Sequence, residues 1–395
     1  MPGLRSRLIR SRLVGPLAIV LVLGASLLAA PASGGPTTGG LASDNIEHVR
    51  HIPLAQNGVG GRLIGKYFYM NDQNKVMIWD VKNPEDPQLT GFVQMPQEWQ
   101  FSREDLDGNG EILVVPNTVS ASNDGQPTPG TNAVYIVDVE DKSNPQIISK
   151  VLGAAQHTVS CVLDCKWAWG SGGNIIDLRN PAKPKLMEEK WGEGQPAGNS
   201  GHDVEEVAPG IVMTATDPMM LLDARKDPLH PKLLATAERA EQYMHGIRWP
   251  NRMKDRMFIA ASETTFNGRC SESSGSFQTW DARNWKKTDT FKMIDEYRVV
   301  NGIIADGNPP AQRNCTAHWL EEHPKFRNGG FVAVAFYDHG TRFFEVTSKG
   351  KIKEAGYFTA YAGQASAAYW ITKEIVYTVD YNRGLDILRF SPPKN

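Results

Sequence analysis

Residues 76–93 read VMIWDVKNPEDPQLTGFV: an apolar strand that ends in Asp80, a turn with Asn and Pro, and a second apolar strand. The phrase returns at 134–151 as VYIVDVEDKSNPQIISKV, and shorter forms follow at intervals of roughly 40–60 residues. Repeats of this length built from short strands predict an all-β protein, a seven-bladed β-propeller of four-stranded antiparallel blades. The acidic residues at the repeated position are Asp80, Asp138, Asp177, Asp223, Asp281, Glu345 and Asp386. Because they recur in every repeat, we expect them to accept hydrogen bonds in turns.

The fourth repeat shows the strand pattern most clearly. Runs of four to seven apolar and β-branched residues alternate there with turn residues, which predicts strands at 202–207, 211–216, 219–224 and 232–237. The seventh repeat offers three strands, at 365–370, 374–379 and 385–390, whereas 46–54 reads as a strand without a repeat. We therefore expect this N-terminal strand to complete the last blade and close the ring.

The N-terminus has the features of a secretory signal peptide over residues 1–32. Four arginines precede an apolar run at 14–29, and Ala30, Pro31 and Ala32 supply a small-residue cleavage pattern. The apolar run is shorter than the ~20 residues that a membrane span needs. We expect a secreted or extracytoplasmic protein that is cleaved near Ala32 and has no membrane span afterwards. Residues 33–44 are then a flexible leader and 45–395 a single propeller domain.

Composition excludes some partners. The 395 residues include 42 Lys and Arg against 44 Asp and Glu, for a formal net charge of −2, and no basic patch stands out. Nucleic acid is therefore not expected as a partner. The sequence also has no nucleotide-cofactor motif. We expect a monomer whose partner is a small molecule or an extracellular protein or glycan.

Four cysteines in an exported chain indicate two disulfides. Cys161 and Cys165 bracket a short turn in which a hairpin would bring them face to face. Cys270 and Cys315 lie in adjacent repeats, on the same predicted face. Buried free thiols are the alternative.

The phrases VMIWDV, VYIVDV, NPEDP and NPAKP resemble the LVIVD-repeat family of exported β-propellers. FYDHGTRFFEV at 336–346 and VYTVDYNRGLDILRF at 376–390 resemble the closing repeats of its bacterial members. The resemblance covers residues 45–390. It implies the propeller fold and no single reaction.

Four of the nine histidines occupy equivalent places, because each opens strand 1 of a repeat from the third to the sixth: His157, His202, His245 and His318. Strand 1 is the innermost strand of a propeller blade, so these imidazoles should converge at one mouth of the central channel. Neutral imidazole is a common ligand of Zn, Cu and Fe, which predicts a divalent transition-metal site. The alternative is that each histidine caps a strand by bonding to the neighbouring blade.

Other residues join this predicted pocket. The second repeat places Arg103 or Glu104 at the position of the histidines. Glu205, three residues after His202, could be a carboxylate that orients a ligand imidazole. His339 lies in a turn on the same face, where it either borders the pocket or has a role in the turn.

Three long loops, at 117–132, 264–276 and 295–314, belong to the histidine face, and long loops on a rigid scaffold usually build a site. We therefore predict a pocket that binds a transition metal and a small molecule. If the protein is an enzyme, it would be a metal-dependent oxidoreductase, lyase or hydrolase. The alternative is a non-catalytic scaffold that binds a protein or a cell-envelope glycan through these loops.

Overall fold

The computed structural model describes residues 39–53, 58–72, 74–96, 100–102, 104–119, 132–154, 158–263, 270, 274–299 and 315–393. Nearly all regular structure in these residues is β-strand, so the predicted all-β class is confirmed. The helical elements among them are a 3₁₀ turn, Ser171–Gly173, and two single turns, α1 (Pro250–Met253) and α2 (Trp285–Thr288). No helix in this part of the chain is long and apolar enough to cross a bilayer.

The strands of the N-terminal half follow one another with short connections. They are β1 (Gly40–Ala42), β2 (Ile46–Ile52), β3 (Gly60–Ile64), β4 (Tyr67–Asn71), β5 (Lys75–Asp80), β6 (Gln88–Gln94), β7 (Gln100–Ser102), β8 (Asp107–Gly108), β9 (Ile112–Val119), β10 (Ala133–Asp138), β11 (Gln146–Leu152), β12 (Val159–Val162), β13 (Trp167–Gly170), β14 (Asn174–Asp177) and β15 (Lys185–Lys190).

The C-terminal half continues the pattern. Its strands are β16 (Val204–Ala208), β17 (Ile211–Thr214), β18 (Met220–Asp223), β19 (Lys232–Ala237), β20 (Met244–Arg248), β21 (Met257–Ser262), β22 (Phe277–Asp281), β23 (Thr290–Tyr297), β24 (Leu320–Glu322), β25 (Gly330–Ala335), β26 (Thr341–Val346), β27 (Ile352–Ala360), β28 (Ala365–Trp370), β29 (Ile375–Asp380) and β30 (Gly384–Phe390).

These strands form seven antiparallel units within the described residues. In chain order the units are β3–β6, β7–β11, β12–β15, β16–β19, β20–β23, β24–β27 with β1, and β28–β30 with β2. A short parallel pairing of β19 with β23, Thr236 with Thr290 and Ala237 with Phe291, joins units 4 and 5 into one eight-stranded sheet. The prediction of four-stranded antiparallel sheets is confirmed for units 1, 3 and 7, whereas units 2 and 6 contain a fifth strand.

The predicted strand bounds in unit 4 agree with the structure to within two residues at every end, and β19 matches completely. The start of β16 differs, since the prediction begins at 202. His202 still pairs with the neighbouring strand there, because its N–H donates to Ala215 O at 3.1 Å and Ala215 N–H donates to Asp203 O at 2.8 Å. The backbone around His202 is thus held like a strand.

Apolar cores lie between neighbouring units. On β17, Ile211 and Met213 pack against unit 5, whereas Val212 packs against unit 3. Successive side chains of a strand point to opposite faces, so a strand buried on both faces reads as a continuous apolar run. Seven such clusters occur in the described residues, one for each adjacent pair of units, including units 7 and 1.

One strand near the start of each unit contacts its counterpart in the next unit. We call β3, β8, β12, β16, β20, β24 and β28 the inner ring, because each contacts the next and β28 contacts β3. The inner ring brings residues that lie far apart in sequence to common ends, which positions the sites described below.

The predicted N-terminal strand is β2, and it completes unit 7 by antiparallel pairing with β30 from Ile46 opposite Phe390 to Ile52 opposite Leu385. The predicted flexible leader at 33–44 is wrong for residues 40–42, which form β1 on the edge of β27. Backbone packing explains this pairing, since a Cβ on Gly40 would lie 2.3 Å from Thr359 O. The predicted signal peptide lies outside the described residues.

Five of the seven recurring acidic residues accept hydrogen bonds in turns, as predicted. Asp80 Oδ1 accepts the backbone N–H of Lys82 at 2.8 Å, and Asp138, Asp177, Asp223 and Asp281 each bond in the same way to the residue two positions later. Asp386 differs because it is fully buried. Its Oδ1 contacts His48 Nε2 at 2.8 Å and His51 Nδ1 at 3.0 Å, which ties β2 to β30.

Candidate functional site

The N-terminal ends of four inner-ring strands carry the candidate site. Glu104 precedes β8 by three residues, His202 and His318 precede β16 and β24 by two, and His245 is the second residue of β20. All four side chains are buried, with at most 4% of any residue exposed. The predicted site residues Arg103 and His157 lie outside the described residues.

The structure brings three predicted histidines together around Glu104. Oε2 of Glu104 lies 3.3 Å from Nε2 of both His202 and His245, and Oε1 lies 3.5 Å from Nε2 of His318. The ring centroids of His202 and His245 are 3.8 Å apart, and those of His245 and His318 are 4.0 Å apart. We call Glu104, His202, His245 and His318 the Glu104 cluster.

Backbone carbonyls orient two of these rings. Nδ1 of His202 lies 3.0 Å from His245 O, and Nδ1 of His318 lies 2.6 Å from Ser366 O, both in the following unit. A carbonyl only accepts hydrogen bonds, so each Nδ1 carries the proton and a neutral ring keeps its lone pair on Nε2. The predicted alternative role, a bond to the neighbouring unit, is thus observed for His202 and His318, and Nε2 of each ring faces Glu104.

The spacing of the polar atoms is longer than in hydrogen bonds. Typical N–H···O distances are ~2.9 Å. Four buried atoms make no hydrogen bond within the described residues: Glu104 Oε2, both ring nitrogens of His245, and His318 Nε2. Ligands that surround a zinc ion tetrahedrally, at bond lengths near 2.0–2.1 Å, lie about 3.3 Å from one another. Ligand atoms of Glu104, His245 and His318 all lie within 4.8 Å of each other. This group could hold a metal ion.

Electrostatics favours an ionised Glu104 carboxylate and affects His202 and His245 in opposite ways. Burial would raise the pKa of Glu104, but the charge of His318 and contacts with all three imidazoles outweigh it and hold that pKa well below its usual value. Burial, followed by repulsion from His202 and His318, keeps the pKa of His245 well below normal. His202 behaves oppositely: burial lowers its pKa, yet the contact with Glu104 prevails and raises it.

The sequence analysis missed several residues around the cluster. The Tyr381 hydroxyl donates to Glu104 Oε1 at 3.0 Å, and the Tyr337 hydroxyl donates to Glu263 Oε1 at 2.7 Å. Glu263 Oε2 lies 4.0 Å from His245 Nε2, and the Trp319 ring centroid lies 4.8 Å from that of His245. Both tyrosines follow the second strand of their units, so strand order could have placed them on this face.

Glu205 does not orient an imidazole as predicted. Its Oε1 accepts from Arg248 Nη1 at 2.7 Å, and its Oε2 lies 3.4 Å from both terminal nitrogens of Arg62. Three residues of extended strand span about 10 Å, which carries position 205 away from His202. Burial would raise the pKa of Glu205, but Arg248 and then Arg62 outweigh it and lower that pKa.

A cavity of 390 Å³ lies beside Glu205 and Arg248, at the C-terminal ends of β16, β20 and β24. Its polar lining includes Glu205, Arg248, Glu322 and His323, and its apolar lining includes Trp249 and Phe326. The chain thus has two polar regions at opposite ends of the same inner-ring strands.

Both predicted disulfides are present, Cys161–Cys165 and Cys270–Cys315. His339 lies beside the second one, with Nε2 3.2 Å from Cys270 Sγ. Burial, followed by the charge of Arg342, lowers the pKa of His339 to about 4. His339 therefore forms a group with this disulfide, and Cys270, Cys315 and His339 could also hold a metal ion.

Comparison with known families identifies one repeat. Residues 62–94 match the LVIVD repeat. This stretch comprises most of unit 1, from β3 to β6, and the match agrees with the resemblance drawn from the sequence. A search of the curated proteins finds none that matches this chain.

Proposed function

We propose that this protein is an exported, seven-bladed LVIVD-repeat β-propeller that binds one divalent transition metal ion through Glu104, His202, His245 and His318. In this proposal each unit is one blade, and the metal lies at one mouth of the central channel, where a small molecule also binds. The ion is zinc, copper or iron.

The closed series of contacts supports the propeller. Every unit shares an apolar core with its two neighbours, and the inner ring returns from β28 to β3. Pairing of β2 with β30 supplies the fourth strand of the last blade. Two disulfides support export, because disulfides persist mainly outside the cytosol.

One observation carries the metal proposal: three imidazole Nε2 atoms from consecutive units surround one buried carboxylate at 3.3–3.5 Å. Three nitrogens and one oxygen suit zinc, copper and iron. A bound ion would supply Lewis-acid chemistry, or redox chemistry if it is copper or iron. The carbonyls of His245 and Ser366 fix two rings for it, and the Tyr381 hydroxyl holds the Glu104 carboxylate.

The competing explanation is a buried ion-pair cluster in which imidazolium balances Glu104 and no metal binds. The two explanations differ in metal content. The test uses the full-length chain, exported from a bacterial host and purified through a tag without histidines. Elemental analysis should find about one transition-metal ion per chain in the parent protein. It should find none in the double variant His202→Ala, His245→Ala.

His230→Ala is the matched control, because His230 lies in an exposed turn, where it contacts Asp227. Its metal content should equal that of the parent chain. Circular dichroism must show that the double variant keeps its β structure. A parent protein that stays metal-free after incubation with Zn²⁺, Cu²⁺ and Fe²⁺ contradicts the proposal, as does a folded double variant that keeps its metal. In the scaffold alternative, this double variant would also bind its protein or glycan partner normally.

A further inference from the structure

The second disulfide lies in an unusual setting for a structural crosslink. Cys315 and His339 are buried, with 3% and 1% of each residue exposed. His339 Nε2 is 3.2 Å from Cys270 Sγ, and the ligand atoms of all three residues lie within 4.8 Å of one another. Two sulfurs and one imidazole nitrogen are thus close enough to one another to bind a single ion.

We propose that reduction of Cys270–Cys315 creates a second metal site, in which both thiolates and the His339 imidazole bind a thiophilic ion such as Zn²⁺ or Cu⁺. An external dithiol supplies the two electrons: the protein S–S bond breaks, the S–S bond of the reductant forms, and its two protons pass to the cysteines. Metal binding then releases these protons to solvent, because thiolate is the ligand form. Soft thiolates favour such ions, whereas disulfide sulfurs bind metals weakly.

The geometry requires little movement of the histidine. With Zn–S near 2.3 Å and Zn–N near 2.0–2.1 Å, tetrahedral coordination separates sulfur from nitrogen by about 3.5 Å, close to the 3.2 Å contact. The turn around His339 is fixed, since its N–H donates to Phe336 O at 2.8 Å and its carbonyl accepts from Thr359 Oγ1 at 3.0 Å.

The site would replace one crosslink by another. Cys270 follows β21 and Cys315 precedes β24, so the disulfide joins units 5 and 6 next to His318. A bound ion would hold the same two segments together after reduction. Only the reduced, metal-free protein would leave them unlinked, so redox state and metal supply together control this part of the chain.

The test uses the full-length chain with Cys161→Ser and Cys165→Ser, which leaves one disulfide. The protein is reduced with dithiothreitol, freed of reductant without oxygen, and titrated with Cd²⁺ while thiolate-to-metal charge-transfer absorption is recorded. We expect the thiolate absorption of the reduced protein to correspond to one Cd²⁺ per chain, in addition to any ion in the Glu104 cluster, and no such absorption in the oxidised protein. His339→Ala should weaken binding by at least roughly 10-fold.

Two controls make the result decisive. A variant in which all four cysteines are replaced by serine should show no absorption after the same treatment. The double variant His202→Ala, His245→Ala should keep the signal, so this site and the Glu104 cluster can fail independently. The proposal is overturned if the reduced protein shows no charge-transfer band, or if His339→Ala leaves the affinity unchanged. The second result would also expose binding by an unfolded chain, in which His339 has no fixed position.

Discussion

Nε2 of His245 lies 3.3 Å from Oε2 of Glu104, although the two residues come from units 5 and 2. Neither ring nitrogen of His245 makes a hydrogen bond in the described part of the chain. A buried polar atom without a partner costs about 1–3 kcal/mol. A ligand that satisfies these atoms would therefore stabilise the fold.

Metal should raise the stability of the parent protein. At a free ion concentration 100 times the dissociation constant, binding to the folded state alone adds about 2.7 kcal/mol to the free energy of unfolding. Urea unfolding of metal-loaded and chelator-treated protein measures this difference. The double variant His202→Ala, His245→Ala should have the same free energy of unfolding with and without metal. Equal stability of the loaded and stripped parent protein contradicts the prediction.

Glu104→Gln should weaken metal binding by more than ~100-fold, because loss of a direct ligand exceeds the 10–100-fold effect of removing a group behind a ligand. Competition with a chromophoric chelator measures the affinity. Glu111→Gln is the control, since Glu111 lies exposed in the same unit and should leave the affinity unchanged. If both variants bind like the parent, Glu104 is not a ligand.

Metal binding to the Glu104 cluster should weaken as pH falls and should release protons, because imidazole nitrogen binds a metal only in its deprotonated form. Burial lowers the pKa of His202, but the contact with Glu104 prevails and raises that pKa above its ordinary value, so a proton competes with the metal ion for this ring. The stability that the charged ring contributes is present below its unfolded pKa of about 6.5 and is lost as pH rises through the higher folded pKa. Calorimetry in buffers of different ionisation enthalpy counts the protons. A metal affinity that does not change between about pH 6 and pH 8 would count against this assignment.

Glu205→Gln should destabilise the protein without changing its metal content. The substitution leaves the buried guanidinium groups of Arg62 and Arg248 without their shared carboxylate, and breaking a buried ion pair costs about 3–5 kcal/mol. Denaturant unfolding and elemental analysis give the two readouts. A stable variant that has lost its metal would restore the role first predicted for Glu205.

Asp386→Asn should destabilise the closure of unit 7 by about 3 kcal/mol or more, because Asp386 is buried against His48, His51 and Arg383. Asp80→Asn at the equivalent repeat position should cost roughly 1 kcal/mol or less, since its turn hydrogen bond is exposed.

Burial opposes ionisation of Asp386, but its three partners prevail and lower its pKa. Its stabilising effect is therefore present above the unfolded pKa of about 3.9 and is lost as pH falls through the lower folded value. If Asp386→Asn and Asp80→Asn lower the free energy of unfolding equally, Asp386 has no special role in the pairing of β2 with β30.

The sequence predicted most of the strands because each repeat is locally consistent. Continuous apolar runs between Gly, Pro and Asx turns specify strands such as β17 and β19 without long-range information. The leader was mispredicted at Gly40, where glycine looks flexible in sequence but permits close approach to Thr359 in the fold. Composition alone does not separate these two uses of glycine.

The candidate site was predictable where repeat phase determines position, as for His202, His245 and His318. Position alone left Arg103 and Glu104 equally plausible in the second repeat. The role of Glu205 depends on Arg62, which comes from another unit, and sequence spacing does not report such a contact. Tyr381 and Glu263 contribute through hydroxyl and carboxylate orientations that only side-chain packing decides.

Pairing between β2 and β30 has a consequence for biosynthesis. Hydrogen-bonded partners in these strands, such as His48 and Asp386, are 338 residues apart. In whatever order the other units fold during synthesis, β2 can complete its sheet only after β30 has been synthesised. A nascent chain therefore carries an unpaired edge strand through nearly all of its elongation, and a chain cut short before β30 never covers that edge.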